Sequence, residues 1–357
     1  MSELGYISLY DNNWNALGKW TQHICKEWSL TRKALESDEF TATCQGYENS
    51  KNACFVGLHS ETGALRYVAF CGIPKTVDKY TTITGIDCRN IFNQELIVDY
   101  SEKLSNGNYK ITTVAQLFTY LMSTVFTNNN FNVNLPTGYE IDVTDVEDVD
   151  FIESYINRSK EIRNVLDQLN RACSVYDLFI KTNVILDTDT NKYKLKFEVR
   201  RIFNEISIKL SDFDAKIKLN QNIVNRITAY DGSSKYTYYL YNDNTIGTNG
   251  NDVSKLLFPP VHKIIFKEND LAGAKAEAVN ELGESRYKDK VTIDLNSKFG
   301  STLIDVDFTY FGNLVGYNPA DDNSIKKLPV FSIKESSDSK KSITFGRLSD
   351  FWFMDRE

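Results

Sequence analysis

Apolar residues along this chain recur with period two over most of its length and switch to period 3.6 in only three segments. A strand sends successive side chains to opposite faces, whereas a helix returns to one face every three or four residues. The pattern therefore demands a mostly β fold carrying a few amphipathic helices. Tyr6 to Tyr10 leads into the polar turn Asp11-Asn12-Asn13, and Trp28 and Leu30 alternate with Ser29 and Thr31. After a polar bend at Glu36-Ser37-Asp38, Phe40, Ala42 and Cys44 alternate with threonines. Ala53 to Leu58 and Ala64 to Ile73 flank Glu61-Thr62-Gly63, which reads as a hairpin with glycine supplying a positive φ. Val77 to Ile86 adds another strand. Strands this short and closely spaced suggest a small barrel or sandwich.

From Thr112 the period lengthens. Val114, Leu117, Phe118, Leu121, Met122 and Val125 place one apolar stripe on a helix capped by Thr112 or Thr113. A second helix is predicted from Glu161 to Phe179, with Ile162, Val165, Leu166, Leu169, Cys173 and Tyr176 inward. Tyr193, Leu195, Phe197 and Val199 then alternate with Lys192, Lys194, Lys196, Glu198 and Arg200, the pattern of a half-solvated antiparallel strand. Beyond Ile206 the β pattern returns. Ile223 to Tyr230 meets Lys235 to Tyr241 across Asp231-Gly232-Ser233-Ser234. One more helix fits Asp270 to Leu282, with Asp270 as N-cap and Gly283 as its stop. Val291 to Leu295, Leu303 to Tyr310, and a hairpin of Val330 to Lys334 with Ser342 to Phe345 close the chain.

The predicted class is α+β, predominantly β: two small β-barrel-like domains, 1–104 and 204–357, around an α+β middle domain, 105–203. A chain of 357 residues is long enough for such units, each with its own core. With 20 Tyr and 21 Phe against 6 Pro, composition favours strands as well.

The net charge of -7 and the lack of a Lys/Arg run argue against phosphate-backbone binding, so no specific nucleic-acid binding is expected. No apolar run is long enough for a membrane span, and no basic leader precedes an apolar stretch, so folding in the cytoplasm is expected without membrane insertion. Cys25, Cys44, Cys54, Cys71, Cys88 and Cys173 fall at irregular spacings with no C-x-x-C pair, which suits thiols rather than a disulfide framework.

The search for catalytic or binding chemistry returns little. His23, His59 and His262 stand at no metal-ligand spacing from one another or from a cysteine. Cys54 and His59 suggest a thiol nucleophile, but five residues apart in strand-like sequence they lack the setting that activates one. Asp187, Asp189 and Asn191, with Glu198 twelfth in line, match the spacing of a calcium loop; Lys192 occupies the position where the sharp turn needs glycine. A plain hairpin is the better reading. Asp142, Asp145, Glu147, Asp148 and Asp150 form an acidic loop that fits a solvated or partner-facing role better than a cation site or a glycosidase acid pair. No catalytic, cofactor or metal residue is assigned.

Several segments occur in the order found in siphophage tail-tip hub proteins. Tyr6-Ile7-Ser8-Leu9-Tyr10-Asp11, Leu17-Gly18, Trp28-Ser29-Leu30-Thr31-Arg32 and Glu39-Phe40 resemble the start of that family. Thr81-Thr82-Ile83-Thr84-Gly85 and Arg89-Asn90-Ile91-Phe92 resemble the strand and turn that close its first barrel. Ser174-Val175-Tyr176-Asp177-Leu178 resembles its middle helix before a hairpin, and Asn222-Ile223-Val224-Asn225-Arg226-Ile227 its N-x-V strand. Gly312-Asn313-Leu314-Val315 resembles a late G-D-x-V turn with Asn313 in place of Asp, and Phe345-Gly346 lies where the family commonly ends. The segment from Tyr317 to Leu328 looks longer than the family's.

The resemblance implies a non-enzymatic structural protein, related to the hubs of contractile tails and injection devices. It would form a homotrimeric ring with a central channel for DNA, located at the tail tip of the virion. Its implied partners are the distal tail or tail tube protein, the tape measure protein, and a spike, fibre or receptor-binding protein. With the chain stopping soon after Phe345-Gly346, no appended hydrolase is expected. Phe351-Trp352-Phe353 is expected to dock on the last barrel or to touch a neighbouring tail protein. The rival readings are a tail-associated cell-wall hydrolase using the acidic loop, and a host-carbohydrate-binding tail protein.

Overall fold

The computed structural model describes residues 4–21, 25–45, 52–60, 62–127, 138–189, 192–218, 224–252, 256, 260–295, 303, 305–318, 322–337 and 340–346. His23, Glu61, Asn191 and the Phe351-Trp352-Phe353 cluster lie outside the described residues. The first hundred residues form β1 (Leu4–Tyr10), β2 (Ala16–Thr21), β3 (Cys25–Lys33), β4 (Glu39–Gln45), β5 (Phe55–Ser60), β6 (Leu65–Cys71), β7 (Lys75–Val77), β8 (Tyr80–Asp87) and β9 (Glu95–Asp99). The middle holds α1 (Val114–Thr127), β10 (Tyr139–Asp142), β11 (Lys160–Asn164), α2 (Val165–Tyr176), β12 (Leu178–Asp187) and β13 (Lys192–Arg201). Then come β14 (Asn204–Lys209), β15 (Asp214–Lys218), β16 (Arg226–Tyr230), β17 (Lys235–Leu240), β18 (Ile246–Gly247) and β19 (His262–Phe266). The last elements are α3 (Leu271–Ser285), β20 (Lys290–Asp294), β21 (Tyr310–Val315), β22 (Ile325–Ser336) and β23 (Lys341–Phe345). The mostly β, α+β class is as the hydropathy predicts.

The strands of the two chain ends belong to one sheet, ordered β15-β20-β23-β22-β3-β4-β8-β6-β5-β1-β2. Its joint is the antiparallel pairing of β22 with β3, from Ser332 opposite Lys33 to Ser336 opposite Ser29. The long strand β22 serves three partners. Its first half pairs with β21 as far as Pro329, which has no N–H to donate, and from Val330 it pairs with β23 instead.

The N-terminal strands curl. Ile7 and Leu9 of β1 share a buried cluster with Trp28 and Leu30 of β3, although β4, β8, β6 and β5 separate the two strands along the sheet. Gly85 permits this curvature: a Cβ there would stand 2.8 Å from the Ala69 Cβ and 2.9 Å from the Phe40 ring, so only glycine lets β6 and β4 side chains meet over β8. The expectation of two barrels is met only in part. Among the described residues the hydrogen-bonded path runs open from β15 to β2, and β22 joins the two halves within it.

The helices follow local signals, with two corrections. In α1 all six predicted stripe residues are fully buried, and Thr113 Oγ1 accepts the Gln116 N–H at 3.1 Å while the Thr112 N–H donates to Gln116 Oε1 at 2.8 Å. The predicted start of α2 at Glu161 is wrong. Residues 160–164 pair with β9, and Ile162 faces solvent opposite Ile97. Asn164 sets the true boundary by accepting the Asp167 N–H at 3.1 Å, a strong N-cap that outweighs the apolar spacing before it. The helix ends at Tyr176 because Asp177 turns left-handed, at φ 54°.

In α3, Asp270 caps as predicted, accepting the Gly273 N–H at 2.8 Å, but Gly283 does not stop the helix. It lies inside, where a Cβ would stand 2.6 Å from Val175 Cγ2, so its smallness lets α3 pack against α2. The predicted strand from Leu303 to Tyr310 is also corrected: Asp307 accepts the N–H and hydroxyl of Thr309, holding a turn, and β21 starts only at Tyr310.

A separate sheet, β18-β17-β16-β19, packs under α3 through Ile227, Ala229 and Ile265. Among the described residues no helix is long and apolar enough to cross a membrane.

Candidate functional site: the seam and its ionic nodes

The seam between β3 and β22 gathers unlike charges. Glu335 on β22 lies 3.4 Å from Arg66, 3.7 Å from Lys341 and 3.9 Å from Arg32. Arg66 reaches it from β6 because the β5–β6 register slips between Leu58 and His59, leaving Arg66 as the extra residue of a bulge that redirects its side chain. Three cations thus share one carboxylate, and the buried Arg32 Nε has no hydrogen-bond partner among the described residues. Burial pushes the Lys341 ammonium below its ordinary value; Glu335 opposes this, and Arg32 and Arg66 add to it. Beside the seam lies a cleft of about 780 Å³ whose walls include Ser29, Thr41, Thr43, Lys334, Ser336 and Ser342. Its hydroxyls are interleaved with Glu27, Asp294, Lys340 and Lys341, so the cleft offers hydrogen bonds and charges of both signs.

Two buried arginines hold the motifs on which the family resemblance rests. Arg89 donates through Nε to Asp87 at 2.8 Å, through Nη1 to the Ala34 carbonyl at 2.9 Å, and through Nη2 to Asp38 at 3.0 Å and the carbonyls of Lys33 and Glu36. It thereby ties the turn after β8 to the end of β3. Arg286, just past α3, donates to the Val175 carbonyl at 2.9 Å and to Asp177 and the Tyr287 hydroxyl, so the end of α2 is held by the end of α3. The substitution of Asn313 for Asp has a local use: its amide donates to Glu205 at 2.9 Å, which a carboxylate could not do.

The candidate residues from the sequence are not brought together. His59 binds Tyr10 through Nε2 at 2.8 Å and the Gly63 carbonyl through Nδ1 at 3.0 Å, while the Cys54 thiol turns to the Asn52 carbonyl, so no thiol–imidazole pair forms. His262 bonds Thr228 at 2.9 Å. Three acids of the loop pair with β13, while Glu147 and Asp150 are exposed. Asp142 pairs with Lys196 at 2.8 Å, Asp145 accepts the Arg201 N–H at 2.9 Å, and Asp148 pairs with the Arg201 guanidinium. Hydrogen bonds from Lys196 and Thr144 hold the Asp142 carboxyl well below the usual range, which disqualifies it as a proton donor near neutrality.

β12 and β13 form the predicted hairpin. Asp187 stands opposite Lys192 and Glu198 opposite Lys181, which separates the two acids by about 20 Å of ladder. Glu198 instead accepts from Asn183 and pairs with Lys196 at 3.2 Å. Calcium titrated against the purified chain is therefore expected to leave its melting temperature unchanged, since a site present only in the folded state would raise it by mass action. A concentration-dependent rise of several degrees would overturn the hairpin reading.

Sequence reasoning did not single out Glu335, Arg66 or Arg286. No local signal marks a bulge residue that meets its partner across three intervening strands.

No protein-family model matches the sequence, and no curated protein does either. Among solved structures, prophage tail protein gp18 from Listeria monocytogenes EGD-e is similar at 11% identity and a TM-score of 0.52, over 96% of this chain and 94% of that one. A chain of the phage P2 baseplate in its activated conformation with Ca is similar at 13% identity and a TM-score of 0.46, over 98% and 100%. The E. coli c3393 protein, a type VI secretion component, is similar at 10% identity and 0.39, over 90% and 72%. The last two superpose too loosely to carry an argument. At this identity the first likeness speaks to fold alone, and the fold of this chain is that of a prophage tail protein, in keeping with the tail-tip hub resemblance of its sequence.

Proposed function

We propose that this protein is a structural hub of a phage tail tip, a homotrimeric ring that joins the tail tube to a distal spike, fibre or receptor-binding apparatus and lets DNA pass. The observation that carries this reading is the fold shared with a prophage tail protein over nearly the full length of both chains. The division into 1–104, 105–203 and 204–357 belongs to the same proposal, with the two curled ends of the long sheet acting as barrel-like units. Two such units in each of three subunits would present a pseudo-six-fold face to a six-fold tube and a three-fold face to a spike. The partners are then the tube or distal tail protein, the tape measure protein and the receptor-binding apparatus. The protein is made and assembled in the host cytoplasm and resides in the virion tail. The internal pairing of Lys194, Lys196 and Arg201 with carboxylates supports a structural role, since few of these cations are left to grip passing phosphates.

Native mass measurement on the purified chain at micromolar concentration, with negative-stain imaging, tests the proposal. A trimer with an open axis is expected. A monomer at every concentration, or a cleared zone in cell-wall zymography, would replace the hub with a monomeric binder or a hydrolase.

A further inference from the structure

We propose that Cys25 and Cys44 are an oxidisable dithiol, with Cys25 attacking and Cys44 resolving, whose oxidant is a low-molecular-weight disulfide of the oxidised-glutathione class. The β3–β4 ladder sets the two residues directly opposite each other. Facing residues in an antiparallel pair have Cα atoms about 4.5–5.5 Å apart, within the span a disulfide bridges. The Cys25 thiol donates to the Glu27 carbonyl on its own strand at 3.5 Å. The surroundings of the two thiols differ in a useful way: Cys44 is fully buried, while Cys25 is half-exposed at the start of β3, where the register slips before Glu27 and leaves the strand slack to adjust.

Access to solvent divides the roles. The neighbouring Cys44 thiol holds the Cys25 thiol below its ordinary value, while Cys25 and burial push Cys44 up. The thiolate therefore forms on the sulfur that solvent reaches. It attacks one sulfur of the small disulfide, forming a mixed disulfide on Cys25 and releasing one glutathione thiol. Cys44 then attacks the Cys25 sulfur, its S–H proton passing to the second departing glutathione. Two protein thiols are oxidised and one disulfide is reduced to two thiols, so electrons and protons balance. The bond formed would fasten β3 to β4 at the end of β3 away from the seam, stiffening the N-terminal half on passage from a reducing to an oxidising medium.

Reactivity governed by exposure alone would fall elsewhere. Cys54 is the exposed cysteine, and Cys71, whose N–H donates to the Cys54 carbonyl at 2.8 Å, has its thiol pushed up to about 11 by burial. The full chain is incubated with oxidised and reduced glutathione at graded ratios, then read by intact mass, peptide mapping and thermal melting. The wild type is expected to lose two hydrogens, yield a Cys25–Cys44 linked peptide and melt several degrees higher. Cys44→Ser should accumulate glutathione on Cys25, and Cys25→Ser should leave Cys44 unmodified. Thiols persisting at Cys25 and Cys44 under the most oxidising ratio, glutathione on Cys54 alone, or modification of Cys44 in Cys25→Ser would each overturn the assignment. The wild-type result decides even where a variant fails to fold, and it does not depend on the hub proposal.

Discussion

Replacing Leu121 with Asp is expected to leave little or no soluble folded protein. Leu121 is fully buried in the centre of the α1 stripe, within the same cluster as α2, the β12–β13 hairpin and α3. Losing a packed leucine costs about 2–5 kcal/mol. A carboxylate left unpaired in that interior adds several more, against a net stability of about 5–15 kcal/mol for an ordinary domain. Leu121→Ala separates the two contributions, since it removes only the packing; it is expected to stay folded with a clearly lower melting temperature. Soluble yield and thermal melts read both variants. Near-normal yield and melting of Leu121→Asp would show that α1 does not pack as described.

Arg89→Ala should destabilise the N-terminal half by about 3–5 kcal/mol, the usual consequence of removing one partner from a buried ionic cluster. Asp38 and Asp87 would lose their shared guanidinium, and the carbonyls of Lys33, Ala34 and Glu36 would lose their donor. The deficit should depend on pH. Burial pushes the Asp38 carboxyl up to about 7 in the intact protein, with Arg89 pulling it back and Asp87 adding to the rise. A folded-state value above the unfolded 3.8 means that the native protein holds the extra proton between those limits. This node's contribution is therefore fullest below about pH 4 and declines as pH rises toward 7. Without Arg89 the Asp38 carboxyl should hold its proton more tightly still, so the variant should lose more stability at pH 8 than at pH 5. Denaturant unfolding at both pH values measures it. A pH-independent loss below about 1 kcal/mol would mean that the node carries no such energy.

The sequence by itself settled what depends on neighbours along the chain. Most of the period-two runs became strands, and the α1 stripe became a buried helix face. Asp270 capped α3, and the Asp187–Glu198 segment became a hairpin, because caps, turns and one-face burial are satisfied within a few residues. Where two local signals competed the reading slipped. Ile162 fitted the spacing of a helix, but the strand pairing with β9 and the Asn164 cap decided otherwise. Gly283 has the composition of a stop, yet only the approach of Val175 explains it.

Tertiary structure alone decided that β22 pairs with β3, so that the N-terminal and C-terminal strands share one sheet, which runs open among the described residues. It alone brought Arg66 to Glu335, Arg286 to Asp177 and Cys25 to Cys44. A cross-strand partner is fixed by register, and register depends on which distant face buries the most apolar surface. That choice is made when the sheets pack, and no spacing of residues along the chain records it.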